Sequence, residues 1–286
     1  MTSYRSDFVG LSFAKKNQLL KEKIVDFYIP NNRIVPGICT HATPLCNKYC
    51  YGHSVFRHSS DPNKKPLPVE IHAKENYEIS KTSFFEKEMC SLIDVLKECK
   101  NIRIHSIGEF YDYAYFLKWI NVMKSNPNIQ FTAYVKAFDI LKKYKDSNET
   151  VPSNFNLLIS IYPDTFDTYA DENGSGITYT ENLINELCEY YHAKKYIAIF
   201  KEDFIFRINH PSGEFFCNAG TDKLCEDKKN KVYKSKYTKL FKPGVPCDKC
   251  MKCYSEKKVP KQSEIYALLR TNRGFARKKE ERNGKV

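Results

Sequence analysis

Eleven cysteines stand in the 286-residue chain, and eight of them are grouped in a way that isolated core cysteines are not. Cys39, Cys46 and Cys50 fall within twelve residues, Cys247, Cys250 and Cys253 within seven, and Cys217 and Cys225 lie between the two groups. Thiols kept reduced do not pair as disulfides, so clustered ones point to metal or iron–sulfur ligation. Three thiols on one loop leave a tetrahedral site incomplete. Structural zinc normally recruits a fourth protein ligand, for which His41 and His53 are at hand, whereas a 4Fe–4S cluster on three cysteines leaves one iron open. Spacing alone does not separate the two, and the missing Cys-x2-Cys pair favours the cluster. Pro36, Gly37 and Pro44 make this segment a loop rather than a packed helix.

The second group, Cys247-x2-Cys250-x2-Cys253, has the repeated two-residue gap of bacterial ferredoxin loops. Lys257 and Lys258 occupy the usual place of the fourth cysteine, which leaves Cys217 to close the site, with Cys225 second. A second 4Fe–4S cluster or a zinc ion suits these thiolates, since both metals take them. Cys90, Cys99 and Cys188 occur in helical-looking apolar stretches and read as core.

These residues need elements to position them. Residues 13–24 read as a short helix, followed by an extended stretch through Ile38. Between Pro68 and Cys99, Tyr77, Phe84, Phe85, Met89, Leu92, Ile93 and Leu96 recur at helical spacing, which predicts one or two amphipathic helices. Strands are expected at 102–110, 129–135, 157–161 and 196–200, with helices at 113–125, 140–144 and 181–191 between them. Such alternation predicts parallel βαβ units in an α/β fold, either an open or partial (β/α) barrel or a doubly wound sheet. Ligands then bind at the C-terminal ends of strands. That selects Gly108 and Glu109 after one strand, Lys136 after the next, and Ser160 and Asp164 on or after the third. His105, a lone strand histidine, reads as core rather than lumen.

The cysteine loop, with Tyr49 immediately before its last thiol, resembles that of the radical S-adenosylmethionine superfamily, with gaps of six and three residues in place of three and two. The strand ending Ile107-Gly108-Glu109 looks like that superfamily's glycine–glutamate motif. The resemblance implies a partial barrel in which Cys39, Cys46 and Cys50 hold a 4Fe–4S cluster and the open iron chelates S-adenosylmethionine. Gly108 and Glu109 receive the cofactor's amino group; Lys136 and Ser160, read from their strand positions alone, are the further cofactor-contact candidates. Electron transfer from the cluster would cleave the sulfonium, and the resulting 5'-deoxyadenosyl radical would abstract a substrate hydrogen. A closer resemblance is to the phage "gene product 88" family. It is carried by residues 36–51, by Arg103-Ile-His-Ser-Ile-Gly-Glu-Phe110, by Phe131-Thr-Ala-Tyr-Val-Lys136 and by the closing Cys247-x2-Cys250-x2-Cys253-Tyr254. It implies a protein of phages and mobile elements.

Composition bounds the rest. With 42% hydrophobic and 14% aromatic residues the chain can build a sizeable core, and 11 Gly with 13 Pro exclude collagen-like or low-complexity sequence. All of the net charge of +12 lies after residue 221: residues 1–221 hold 26 basic and 26 acidic side chains, residues 222–286 hold 20 and 8. The expected division is an N-terminal helical extension (1–29), an α/β barrel-like domain with the three-cysteine loop (30–221) and a basic, cysteine-rich C-terminal module (222–286). The basic end is a solvated surface or a footprint for nucleic acid or another acidic partner. A non-catalytic, metal-stabilised nucleic-acid-binding protein is therefore the competing expectation. The substrate is unknown from sequence. No apolar run of bilayer-spanning length and no secretory signal occur, so cytoplasm is expected, the host's if the chain is phage-encoded.

Overall fold

The structure, a computed structural model, describes residues 2–5, 10–13, 24–58, 63–96, 100–173, 176–200, 215–216 and 260–268. One sheet organises them. Its strands are β1 (Thr2–Arg5), β2 (Gly10–Phe13), β3 (Ile24–Asp26), β4 (Asn101–Ile104), β5 (Gln130–Val135), β6 (Phe155–Ile161), β7 (Lys194–Ile199), β8 (Phe215–Phe216) and β9 (Glu264–Leu268), in the order β1-β2-β3-β4-β5-β6-β7-β9-β8. β1, β2 and β3 pair antiparallel, and every pairing from β3 to β8 is parallel. Among the described residues the sheet is open, with β1 and β8 at its edges.

The strands β3 to β7 follow one another in space as they do in sequence. A doubly wound sheet reverses its strand order at a switch point; no reversal occurs here between β3 and β7, and the expected α/β fold is present as an open sheet with a run of six parallel pairings. The helices are α1 (Pro44–Tyr49), α2 (Gly52–Val55), α3 (Pro68–Lys81), α4 (Phe85–Val95), α5 (Tyr113–Ser125), α6 (Phe138–Asp146), α7 (Thr165–Asn173) and α8 (Gly176–Tyr190). Val25, Phe27, Ile102, Ile104, Phe131, Ala133, Val135, Phe155, Leu157, Ile159 and Ile161 form one core with α4, α5, α6 and α8 through Met89, Trp119, Leu141 and Leu187. Alternation along each strand turns the remaining residues to the opposite, inner face.

Several expectations need correction. Phe13 ends strand β2 and Ile24 opens β3, so the stretch read as a helical extension carries strands at both ends, with residues 14–23 outside those described. Strand β9 comes from the C-terminal portion and joins the same sheet beside β7. Strand β4 ends at Ile104 rather than near Phe110 because His105 takes a left-handed φ of 54°. The chain still runs alongside residues 27–29, with Ser106 N–H donating to Phe27 O at 3.0 Å and Ile29 N–H to Ile107 O at 3.1 Å. Phe84, expected on the buried face, is 63% exposed at the N-cap of α4. Cys90 is half-buried against the core and accepts a hydrogen bond from Asn126 Nδ2, and Cys188 is buried in it. Cys99 lies outside the described residues.

Candidate functional site

Four successive strand ends bring together the side chains singled out above. The segment after β3 carries Cys39, Cys46 and Cys50, the turn after β4 carries Glu109, the residue after β5 is Lys136, and Tyr162 and Asp164 follow β6. In a parallel sheet these are the C-terminal ends, where ligands bind.

Two asparagines shape the thiol loop. Asn32 Oδ1 accepts from Cys39 N–H at 2.7 Å while its Nδ2 donates to Cys39 O at 3.3 Å and to Asn47 Oδ1 at 2.9 Å. Asn31, 2% exposed, accepts from Ile34 and Val35 N–H through its carbonyl and points Nδ2 at Cys50 Sγ, 3.6 Å away. Part of the loop is helical after all. Thr43 caps α1 by accepting from Cys46 N–H at 3.1 Å, and Pro44 takes the first helical position, where its missing N–H is no loss. Asp164 reaches from the far side of the site, its Oδ2 accepting from Leu45 N–H at 2.7 Å. Behind the last thiol a side chain at Gly52 would begin 2.9 Å from Asn31 Nδ2 and 3.3 Å from Cys50 Sγ.

Gly108 and Glu109 form the second wall. Gly108 has φ of +100°, and a Cβ there would lie 2.3 Å from Ile29 Cγ1, so glycine alone fits. Glu109 is 1% exposed, not a solvated loop carboxylate. Its Oε1 accepts from Phe110 N–H and its Oε2 from Lys136 N–H, each at 2.9 Å, and Lys136 Nζ lies 3.6 Å from Oε2. Ionised carboxylates have about four lone-pair sites, so this clamp of β4 to β5 leaves acceptor capacity.

Lys136, its side chain 15% exposed, is the half-buried cation of the site. Burial works to lower its pKa, but the Cys46 thiol, Glu109, Tyr162 and Cys39 outweigh it and hold the ammonium above its ordinary range. Burial pushes Cys39 up to about 12 and raises Cys46 as well, with Lys136 opposing in both cases. Tyr162, its pKa also raised by burial, hydrogen-bonds Cys46 and lies with its ring centroid 5.9 Å from Lys136 Nζ. Each of the three thiols stands within electrostatic reach of the others. They do not converge on a point: among the described residues no three His, Cys, Asp or Glu side chains gather as ligands of one metal ion. Thiolates serve zinc and iron–sulfur centres alike, and the neighbouring Lys136 ammonium opposes the rise in pKa of Cys39 and Cys46. His41 is turned elsewhere, with its ring nitrogens 2.7 Å from Thr40 Oγ1 and from Asp139 Oδ1.

Ser160 is buried near the C-terminal end of β6, in register with Tyr196 of β7. His105 lies in the aromatic core with Nε2 2.8 Å from the Tyr115 hydroxyl, and burial, with Lys136 adding, lowers its pKa to about 3. Cys217, Cys225, Cys247, Cys250 and Cys253 lie outside the described residues. Sequence reading missed Tyr162, whose only signal was its place two residues after Ser160. It also missed Tyr51, 43% exposed as a whole, whose hydroxyl reaches in to donate to Ser106 O and whose pKa is raised by desolvation of that hydroxyl, with Arg103, Asp26 and Cys50 all acting on it. Among the described residues no helix is long and apolar enough to cross a membrane.

Comparison with known proteins places these blocks in context. The model of the "Gene product 88" family matches residues 11–256. The chain is 27% identical over 154 residues to the gene 88 protein of Mycobacterium phage L5, covering 50% of this chain and 61% of the relative. It is 26% identical over 159 residues to that of Mycobacterium phage D29, covering 52% and 62%. The match thus spans about three fifths of each of these relatives, and no solved structure matches. With the family pattern running through the thiol loop, the Gly108–Glu109 turn and Lys136, the chain belongs to the gene product 88 family of phage proteins.

Proposed function

We propose that this family member is an iron–sulfur protein whose Cys39, Cys46 and Cys50 hold a three-cysteine 4Fe–4S cluster and whose strand ends bind S-adenosylmethionine beside it. The observation that carries the reading is the meeting of three thiols, a buried carboxylate and a half-buried ammonium at successive C-terminal strand ends of an open parallel sheet. When bound, such a cluster supplies an electron for reductive cleavage of a sulfonium. The chain's own residues do the placing. Asn31 and Asn32 set the loop that presents Cys39 and Cys50, while Thr43 and Asp164 fix the helix carrying Cys46. Lys136 offsets the negative charge of the thiolates. Glu109 offers its remaining lone pairs to an ammonium group, and Gly108 keeps the turn narrow enough to aim it.

Anaerobic purification followed by iron, sulfide and zinc analysis tests this, comparing wild type with a Cys39→Ala, Cys46→Ala, Cys50→Ala triple variant. The expected result is a brown protein that loses about four irons per chain on triple substitution. A colourless wild-type preparation holding only zinc would end the proposal.

A further inference from the structure

The side-chain amide of Asn31 is buried against one of the three thiols and held in a single orientation toward it. Asn31 is 2% exposed, and its Oδ1 accepts from Arg33 N–H at 3.2 Å. That turn, an asparagine oxygen on the backbone N–H two residues on, fixes which end of the amide faces which way. Nδ2 is thereby turned to Cys50 Sγ, 3.6 Å away, and among the described residues this sulfur is its one acceptor. Gly52 keeps the approach open. A Cβ there would lie 2.9 Å from Asn31 Nδ2 and 3.3 Å from Cys50 Sγ, crowding donor and acceptor together.

A neutral thiol sulfur is a weak acceptor, so the free energy lost on burying the amide N–H is offset only in part while Cys50 is a thiol. On a metal-bound thiolate the same contact becomes a charge-assisted hydrogen bond, roughly twice as strong as a neutral one. The amide is therefore matched to Cys50 as a ligand. Cys39 and Cys46 stand in the field of the Lys136 ammonium, so a positive charge serves those two sulfurs and a neutral donor serves the third.

We propose that Asn31 is a positioning residue whose N–H···Sγ bond to Cys50 raises the reduction potential of the cluster held by the thiol loop. Hydrogen bonds to the sulfurs are among the factors that set cluster potentials, and groups that contact a ligand both orient it and tune its metal. One-electron reduction adds a negative charge that is shared by the ligand sulfurs, so a fixed donor stabilises the reduced form more than the oxidised one. The electron comes from an external one-electron reductant, and no bond is made or broken in the chain. This role rests on the cluster reading above. With the donor in place, a weaker reductant suffices to load the cluster.

Stepwise reduction of the full chain with dithionite and redox mediators, after anaerobic reconstitution with iron and sulfide, tests it when followed by electron paramagnetic resonance in wild type, Asn31→Leu and Asn31→Asp. Iron is measured in each. Leucine removes the donor at similar volume, whereas aspartate keeps the acceptor for Arg33 N–H and loses the donor. The expected result is wild-type iron content in both variants and a lower potential in both, for Asn31→Leu by about tenfold in the reduction equilibrium, or about 59 mV for one electron. Electron–nuclear double resonance of the reduced cluster in H2O and D2O should show an exchangeable proton coupling in wild type that Asn31→Asp lacks. If Asn31→Leu loads no iron, that coupling decides, and its persistence in Asn31→Asp overturns the proposal. A wild-type potential in iron-loaded Asn31→Leu overturns it too, even where Asn31→Asp is lower, since added charge alone explains that shift. Wild type that takes up no iron overturns this role together with the cluster reading, whereas an unchanged potential at full iron content overturns this role alone.

Discussion

On the helix-covered face of the sheet, β4 contributes Ile102 and Ile104 and β5 contributes Phe131, Ala133 and Val135, every one of them buried in the main core. On the other face the same two strands contribute Arg103, Thr132 and Tyr134. One set of backbone hydrogen bonds supports both, so the difference lies in what each face meets. Burial of apolar area on the first face drives folding. The second face gives up part of that gain to hold polar groups, and it carries them beneath the strand ends where the thiols, Glu109 and Lys136 meet. Apolar packing and polar side chains are thus divided across the thickness of a single sheet.

Adjacent substitutions in β5 are the sharpest way to break that comparison. Phe131→Ala is expected to cost about 3–5 kcal/mol in denaturant unfolding, because a fully buried ring leaves a cavity among Trp119 and the strand core. Next comes Gly108→Ala at the site's edge, expected to cost about 3 kcal/mol from left-handed strain together with the clash against Ile29. Thermal melting of that variant, with iron content per folded chain, measures both the destabilisation and the displaced Glu109.

A pH series separates the core side of β4 from the inner side. His105 has a folded pKa lowered to about 3 against 6.5 in its unfolded state, so the unfolded chain binds the extra proton between those values. Stability from this group is therefore complete above about pH 6.5 and is lost progressively as pH falls toward 3, by about 2 kcal/mol at pH 5. His105→Asn keeps a residue that tolerates the left-handed φ of 54° and should flatten the acid limb by that amount in urea titrations. The smallest effect is expected of Thr132→Val on the inner face, about 1 kcal/mol or less for one lost hydrogen bond to Asn156. A loss at Thr132 equal to that at Phe131 would abolish the distinction between the faces.

Much of this was legible in the sequence where the signal was long and periodic. The α5 helix runs over 113–125 as expected, with Asp112 accepting from Tyr115 N–H as its cap, and β5, β6 and β7 lie within two residues of their expected starts. What escaped was short or tertiary. Strand β3 has three residues, too few for Asp26 to stand out as an alternation between Val25 and Phe27. Helix α1 has six, and its Pro44 was read as a loop marker when it occupies the first helical position. Glu109 was legible as a strand-end residue, but the two backbone N–H groups that bury it come from different parts of the chain. The register that aligns Asp26, Arg103, Thr132 and Asn156 exists only once the strands pair.

The central claim is that three thiols near the amino end hold a cluster with a vacant coordination position. Electron paramagnetic resonance of the anaerobically reconstituted, dithionite-reduced protein, recorded with and without S-adenosylmethionine, tests it most directly. The account predicts a cluster signal whose shape changes when the sulfonium compound is added, and a Cys46→Ala variant in which that change is gone. An identical spectrum with and without the compound, or a change that persists in Cys46→Ala, would contradict it.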